Sequence, residues 1–224
     1  MRFYRTIAPD CDRAECIVAS GVIGPDTARE FRAFLKREAI LPGASVVFDS
    51  KGGNLAQGLK LGLHIRRAGF STTIQRYDQS RGVFVRGGEC ASACAYAFLG
   101  GTRRTVPAGS RVGVHQFSIT TTPIAWNGAS EIQTTTATVI SYLNLVGASP
   151  QLAASALKTP PDRVLWLSAR ELSRLHVVTG EGETTAASRR LKGDVRDGLR
   201  SGSAGALAEE HVYASTASSG GGGR

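Results

Sequence analysis

Ser45-Val46-Val47-Phe48-Asp49-Ser50-Lys51-Gly52-Gly53-Asn54, continued by Leu55 to Gly69 and by Ser71-Thr72-Thr73-Ile74-Gln75-Arg76-Tyr77, is the stretch from which the architecture follows. The β-rich run ending at Asp49 reads as a short buried strand. Leu55, Leu59, Gly62 and Leu63 then recur at helical spacing until Ala68-Gly69, whose glycine suits a helix C-cap. The run from Ser71 to Tyr77 completes a β-turn-α-β unit, which implies parallel strands joined by a right-handed crossover. Two adjacent glycines at a strand end permit unusual φ and close approach of another backbone, with N–H groups free to face an oxyanion. Alone, such a turn is an ordinary strand-to-helix connection.

Upstream, Glu15 to Ile23 reads as a strand broken by Gly21, and Gly24-Pro25-Asp26 turns the chain into an amphipathic helix carrying Phe31, Phe34 and Leu35 on one face. Downstream, Asp78 to Gly88 is polar, glycine-bearing and unpatterned, so a loop is expected there. Ala91 to Leu99 is small and apolar and reads as a buried helix ended by Gly100-Gly101, with Ser92 at its start. Short strands are expected at Thr102 to Val106, at Arg111 to His115 and at Val164 to Leu167. Helices are expected from Ser130, from Ser149-Pro150 to Leu157, and from Ser168, where Ser168 and Glu171 have capping-box spacing. The domain expectation is therefore an irregular segment over residues 1–14, one folded unit over 15–180, and a largely disordered basic, then Gly/Ser-rich, tail over 181–224.

Ser92 and His115, 23 positions apart, offer a nucleophile and a base. Each has an ordinary explanation, as a helix N-cap serine and as a histidine at a strand end. The chain carries a formal charge of +9, but its 22 Arg and 5 Lys are scattered and do not interleave with stacking aromatics, so nucleic acid is not an expected partner. No window approaches the ~20 apolar residues of a membrane-spanning helix. No apolar h-region follows the basic start, so a secretory signal is absent from the chain as given; the expectation is cytoplasmic, or periplasmic if the chain start is incomplete. The four cysteines form two local pairs, Cys11/Cys16 and Cys90/Cys94. With Cys90 and Cys94 one helical turn apart, two buried thiols are expected, with a strained or redox-active bridge as the alternative. Neither His64 nor His115 has ligand-type spacing to either pair, so no metal site is expected, and no cofactor is implied.

Four separated blocks, in order and spacing, resemble the proteolytic subunit of the Clp protease and related Clp/crotonase-type serine peptidases over roughly Ile17 to Val178. Ser50-Lys51-Gly52-Gly53 is similar to the family's Ser-x-Gly-Gly segment, and Ala91-Ser92-Ala93 to its nucleophile. Val112-Gly113-Val114-His115-Gln116 is similar to the strand ending in the catalytic His-Gln, and Asp162-Arg163 with Leu167 to Glu171 to the Asp-Arg run. The resemblance implies an α/β fold of repeated β-β-α units with a mostly parallel sheet flanked by helices. It also implies a Ser92, His115, Asp162 triad, with oxyanion donors at Gly52, Gly53 and Ala93 and an extended substrate beside Asn54, Leu55, Gln116 and Phe117. A peptide or protein substrate and a homo-oligomer follow from it, and less directly an ATP-driven unfoldase. Lys51, the two cysteines around Ser92 and a Thr-rich arm after Phe117 depart from the pattern, which sets the chain on a divergent branch nearer to bacterial periplasmic Clp-like proteins. A Ser-Lys dyad using Lys158, acyl-CoA chemistry at the Gly-Gly turn, and a catalytically silent fold member that binds extended peptides or assembles with partners are the competing readings.

Overall fold

Arg2-Phe3-Tyr4-Arg5-Thr6 forms β1 (Arg2–Thr6), antiparallel to β2 (Cys16–Ser20), in a computed structural model that describes residues 1–7, 15–117 and 128–179. This corrects the expectation of an irregular start, because Phe3, Tyr4 and Thr6 are β-forming residues and Phe3 packs against the core. Its ring lies 5.1 Å from Phe31 and 5.9 Å from Phe34, both on α1 (Thr27–Arg37). The rest of the expected irregular segment, with Cys11, the arm after Phe117 up to 127, and the tail from 180 lie outside the described residues.

The Gly-Gly unit has the expected form. β3 (Ser45–Asp49) lies parallel to β2, pairing Ile17 with Val46 and Ala19 with Phe48, and α2 (Leu55–Arg67) leads to β4 (Ser71–Ile74), parallel to β3. Val46, Val47 and Phe48 are essentially without solvent exposure, which is why this strand reads as an unbroken apolar run rather than an alternating one. The segment Asp78 to Gly88, expected as a loop, instead contains a hairpin of β5 (Arg76–Asp78) and β6 (Val83–Val85), with the Tyr77 and Phe84 rings in tilted contact across it at 5.1 Å. Phe84 covers Cys16 and Val47, so the hairpin closes one face of the sheet.

β7 (Glu89–Ala91) precedes α3 (Ala93–Leu99), and β8 (Arg104–Thr105) completes the first sheet in the order β1-β2-β3-β4-β8. β9 (Arg111–Val114) lies parallel to β7. After α4 (Gly128–Val146) and α5 (Gln151–Leu157), β10 (Leu165–Trp166) pairs with β9, and α6 (Ala169–Arg174) follows. A single bridge, Ser50 to Cys90, joins the two sheets: Ser50 N–H donates to the Glu89 carbonyl at 2.7 Å and Ala91 N–H to the Ser50 carbonyl at 3.0 Å. That bridge sets the Gly-Gly turn beside the residue after β7.

Helix α2 presses α3 into place through two glycines one turn apart. A methyl group on Gly58 would stand 2.5 Å from the Ala93 carbonyl, and one on Gly62 would collide with the Tyr142 hydroxyl. At the far end of α3, the buried Arg104 guanidinium donates to the carbonyls of Val177, Gly101, Val146 and His176 at 2.8 to 3.2 Å, tying the last described segment to the ends of α3 and α4. The five planar N–H donors of arginine suit this role, which a lysine would fill with three at most.

Candidate functional site

Cys90 belongs to a strand and Cys94 to a helix, and the chain turns sharply between them at Ser92. Ala91 is the last residue of β7 rather than part of a helix, so the expected helix over Ala91 to Leu99 begins at Ala93. The strand-to-helix corner brings the two cysteine Cα atoms to 5.2 Å, and they form a disulfide, in place of the two thiols expected. Two residues on one helical turn would not meet this way; a corner allows it. Cys16 is also disulfide-bonded.

Ser92 has φ 56° and ψ −127°. Left-handed backbone of this kind is costly for any residue with a Cβ and is concentrated where a fold holds a side chain in a working position. Although Ser92 sits at the N-cap position of α3, its hydroxyl makes no capping hydrogen bond, so the ordinary explanation for a serine there does not apply. Ser92 N–H donates to the Gly113 carbonyl at 2.9 Å and its carbonyl accepts from Ala95 N–H at 2.9 Å, which fixes the corner between β9 and α3. The side chain is half-buried.

The Gly-Gly turn lies directly against this corner. Gly52 has φ 97°, and a Cβ there would sit 2.6 Å from the Ala91 carbonyl, 2.9 Å from the Ser92 Cβ and 3.0 Å from the Ala93 nitrogen. The Gly52 N–H donates to the Ser50 hydroxyl at 3.1 Å, and that hydroxyl in turn donates to the Gly21 carbonyl at 2.6 Å. Ser50 thus pins the turn, a role that sequence reasoning missed; its place just before the glycines was the only signal. Ile23 N–H donates to the Gly52 carbonyl and Asn54 N–H to the Ile23 carbonyl, both at 2.9 Å, so Gly53, between them, turns its N–H away from Ile23. Among the described residues the N–H groups of Gly53 and Ala93 make no hydrogen bond.

His115 follows β9 and is half-buried. Its Nδ1 stands 2.6 Å from the Gln116 carbonyl oxygen, which only accepts, so Nδ1 carries the proton and the lone pair of the neutral ring lies on Nε2. Gln116 is anchored in turn, its N–H donating to the Thr159 carbonyl at 2.9 Å and its Nε2 to the Leu157 carbonyl at 2.6 Å. No hydrogen bond joins His115 to Ser92. Asp162 is exposed and lies 4.0 Å from Arg163, with no hydrogen bond to His115.

Among the residues expected to line an extended substrate, the Asn54 side chain caps α2 by accepting from Gln57 N–H at 3.0 Å, while Leu55 and Phe117 are half-buried. Lys158, the alternative base, is the C-cap of α5. Among the described residues no three His, Cys, Asp or Glu side chains are grouped to hold a metal ion, and no helix is long and apolar enough to cross a membrane.

The fold is similar to that of ClpP1 from Listeria monocytogenes, 18% identical, with a TM-score of 0.50 over 73% of this chain and 88% of that one. A single-residue variant of ClpP1 from the same organism gives 0.52 at 17% identity over 76% and 94%. A single-residue variant of the membrane-bound stomatin-specific protease 1510-N gives 0.48 at 17% identity over 72% and 75%. At these identities the likeness shows the fold alone, which is α/β and ClpP-like. No protein-family model and no curated relative matches the chain.

Proposed function

We propose that this chain is a serine peptidase-like hydrolase that cleaves peptide bonds through Ser92. The observation that carries the reading is the backbone of Ser92, φ 56° and ψ −127°, at a strand-to-helix corner with its hydroxyl uncommitted to a cap and Gly52 packed against it. In the proposed reaction Ser92 Oγ attacks the scissile carbonyl. His115 Nε2 takes its proton and later passes it to the leaving amine. The Nδ1–H to Gln116 carbonyl bond selects the tautomer that leaves Nε2 basic. The oxyanion is received by the unengaged N–H groups of Gly53 and Ala93, while Gly52 supplies the close approach and Ser50 holds it. An extended substrate would run beside Asn54, Leu55, Gln116 and Phe117.

Asp162 is assigned the orienting carboxylate. In the structure it is exposed and makes no hydrogen bond to His115, so the assignment requires the segment after α5 to move toward His115 when substrate or a second subunit packs there, with the carboxylate replacing the Gln116 carbonyl at Nδ1. Apo catalytic hydrogen bonds are commonly loose and tighten in the substrate complex. The shared fold with ClpP1 supports the reading, and the sequence resemblance adds a homo-oligomer to the proposal.

The absence of a hydrogen bond from His115 to either Ser92 or Asp162 favours a second reading, a catalytically silent fold member that binds extended peptides. A fluorophosphonate probe separates the two. Wild type should label at Ser92, with labelling lost in Ser92→Ala and cut at least tenfold in His115→Ala. Failure of the wild type to label where a control serine hydrolase reacts would leave the silent reading standing.

A further inference from the structure

A covalent ring closes around the strained serine. Cys90 is the middle residue of β7, Cys94 lies in the first turn of α3, and their disulfide encloses Ala91, Ser92 and Ala93. Both cysteines are fully buried. The peptide unit between Ser92 and Ala93 is held on one side only: the Ser92 carbonyl accepts from Ala95 N–H, whereas Ala93 N–H makes no hydrogen bond among the described residues. Rotation of that unit would change ψ at Ser92, carrying its backbone at φ 56° from a sparsely populated region toward the αL region, and would withdraw the Ala93 N–H from the Gly52 side. The disulfide opposes that rotation, because it fastens the residue after Ala93 to the strand before Ser92.

We propose that the Cys90–Cys94 disulfide is a positioning element for the nucleophile, and that its reduction by a dithiol releases the Ser92 corner and switches the site off. The proposal rests on the peptidase reading above for its effect on turnover, and on the geometry of the corner for its effect on the backbone. In the exchange, local opening of the corner exposes one of the buried sulfurs, and a thiolate of the dithiol attacks it and breaks the Cys90–Cys94 bond. The second thiol then closes the dithiol into a cyclic disulfide, and Cys90 and Cys94 are left as two thiols having taken up two electrons and two protons.

The test uses the full chain carrying Cys11→Ala and Cys16→Ala, so that Cys90 and Cys94 are its only cysteines. It is examined oxidised, reduced with dithiothreitol, and reoxidised. The readouts are the fluorophosphonate labelling rate, kcat and KM on a fluorogenic peptide library, amide hydrogen exchange over residues 89–99, and circular dichroism. The expected result is an about ten- to hundredfold fall in labelling and kcat on reduction, the range that losing such a held conformation converts to, with KM nearly unchanged. Exchange should rise at Ser92 to Ala95, circular dichroism should hold, and reoxidation should restore all of it. Unchanged labelling and exchange after verified reduction would overturn the proposal. If the oxidised chain does not label at all, the peptidase reading falls and exchange alone decides: a rise on reduction keeps the positioning role, and no rise removes it. Should reduction unfold the chain, Cys90→Ala/Cys94→Ala carries the same comparison. A folded variant labelling at the parent rate, or one that also fails to fold, would overturn the proposal.

Discussion

Gly52 lies so close to Ser92 that a methyl group on it would stand 2.9 Å from the Ser92 Cβ, and the other nearest atoms are the backbone Ala91 oxygen and Ala93 nitrogen at 2.6 and 3.0 Å. None of these is the far end of a flexible side chain, and φ of 97° adds a backbone penalty for any residue with a Cβ. Gly52→Ala should therefore destabilise the fold by about 2–3 kcal/mol and cut probe labelling at least tenfold, since the corner must shift to admit the methyl. Gly69→Ala is the matched control: φ is 70° but nothing lies within 4 Å of the added Cβ, so it should cost about 1 kcal/mol and leave labelling intact. Urea denaturation with labelling in parallel measures both.

Ser92→Gly separates the strain from the chemistry. Glycine adopts φ 56°, ψ −127° without a Cβ clash, so the substitution should raise stability by about 1 kcal/mol while abolishing labelling. Ser92→Ala keeps the Cβ and the strain, and should abolish labelling with stability within about 0.5 kcal/mol of wild type. A Ser92→Gly variant no more stable than Ser92→Ala would mean that the corner stores no strain at this residue.

The β3-α2-β4 unit was legible because a short β-branched and aromatic run, Val46 to Phe48, ends at a Gly-Gly turn and is followed at once by the Leu55, Leu59, Leu63 stripe at helical spacing. The hairpin at β5 and β6 was hidden because its strands are three residues long and lie among Gly, Arg and Asp; Val83-Phe84-Val85 was the available sign. The corner at Ser92 was hidden for a different reason. Composition shows small apolar residues from Ala91 to Leu99, which suits a helix, but whether the first of them joins β7 is decided by a bridge to Ser50, 40 positions before Cys90. The disulfide was misjudged with it, since its closure depends on that corner. The residue types of the site were visible as a resemblance; the use of the Gly52 N–H by Ser50, and of His115 Nδ1 by the Gln116 carbonyl, is tertiary geometry that no spacing carries.

Gly62 and Tyr142 should show strong coupling. The Tyr142 hydroxyl donates to the Tyr96 carbonyl at 2.6 Å and occupies the space where a Gly62 methyl would go. Gly62→Ala alone should cost about 2–3 kcal/mol, and Tyr142→Phe alone about 1–2 kcal/mol from the buried carbonyl it leaves unpaired. Combined, they should cost clearly less than the sum, because removing the hydroxyl makes room for the methyl, with a coupling of about 1 kcal/mol or more in a double-mutant cycle. Additive losses would show that α2 moves away from α3 instead.

Alkaline pH should unfold the domain through two buried phenols. Burial pushes the Tyr96 phenol up to about 12 and raises that of Tyr142 as well, against the opposing influence of the nearby Arg104 and Arg66 charges. An unfolded tyrosine ionises near pH 10. Because the folded values lie above the unfolded one, the unfolded state sheds protons first as pH rises. The neutral phenols' contribution is thus complete below about pH 10 and is lost as pH climbs toward about 12. The urea midpoint should be flat with respect to these groups up to about pH 10 and then fall. Tyrosinate absorbance should show Tyr96 and Tyr142 ionising with the unfolding transition rather than ahead of it. Tyr142→Phe, which removes one of the two groups, should make the alkaline fall shallower; an unchanged slope would mean that Tyr142 is not a source of the pH dependence.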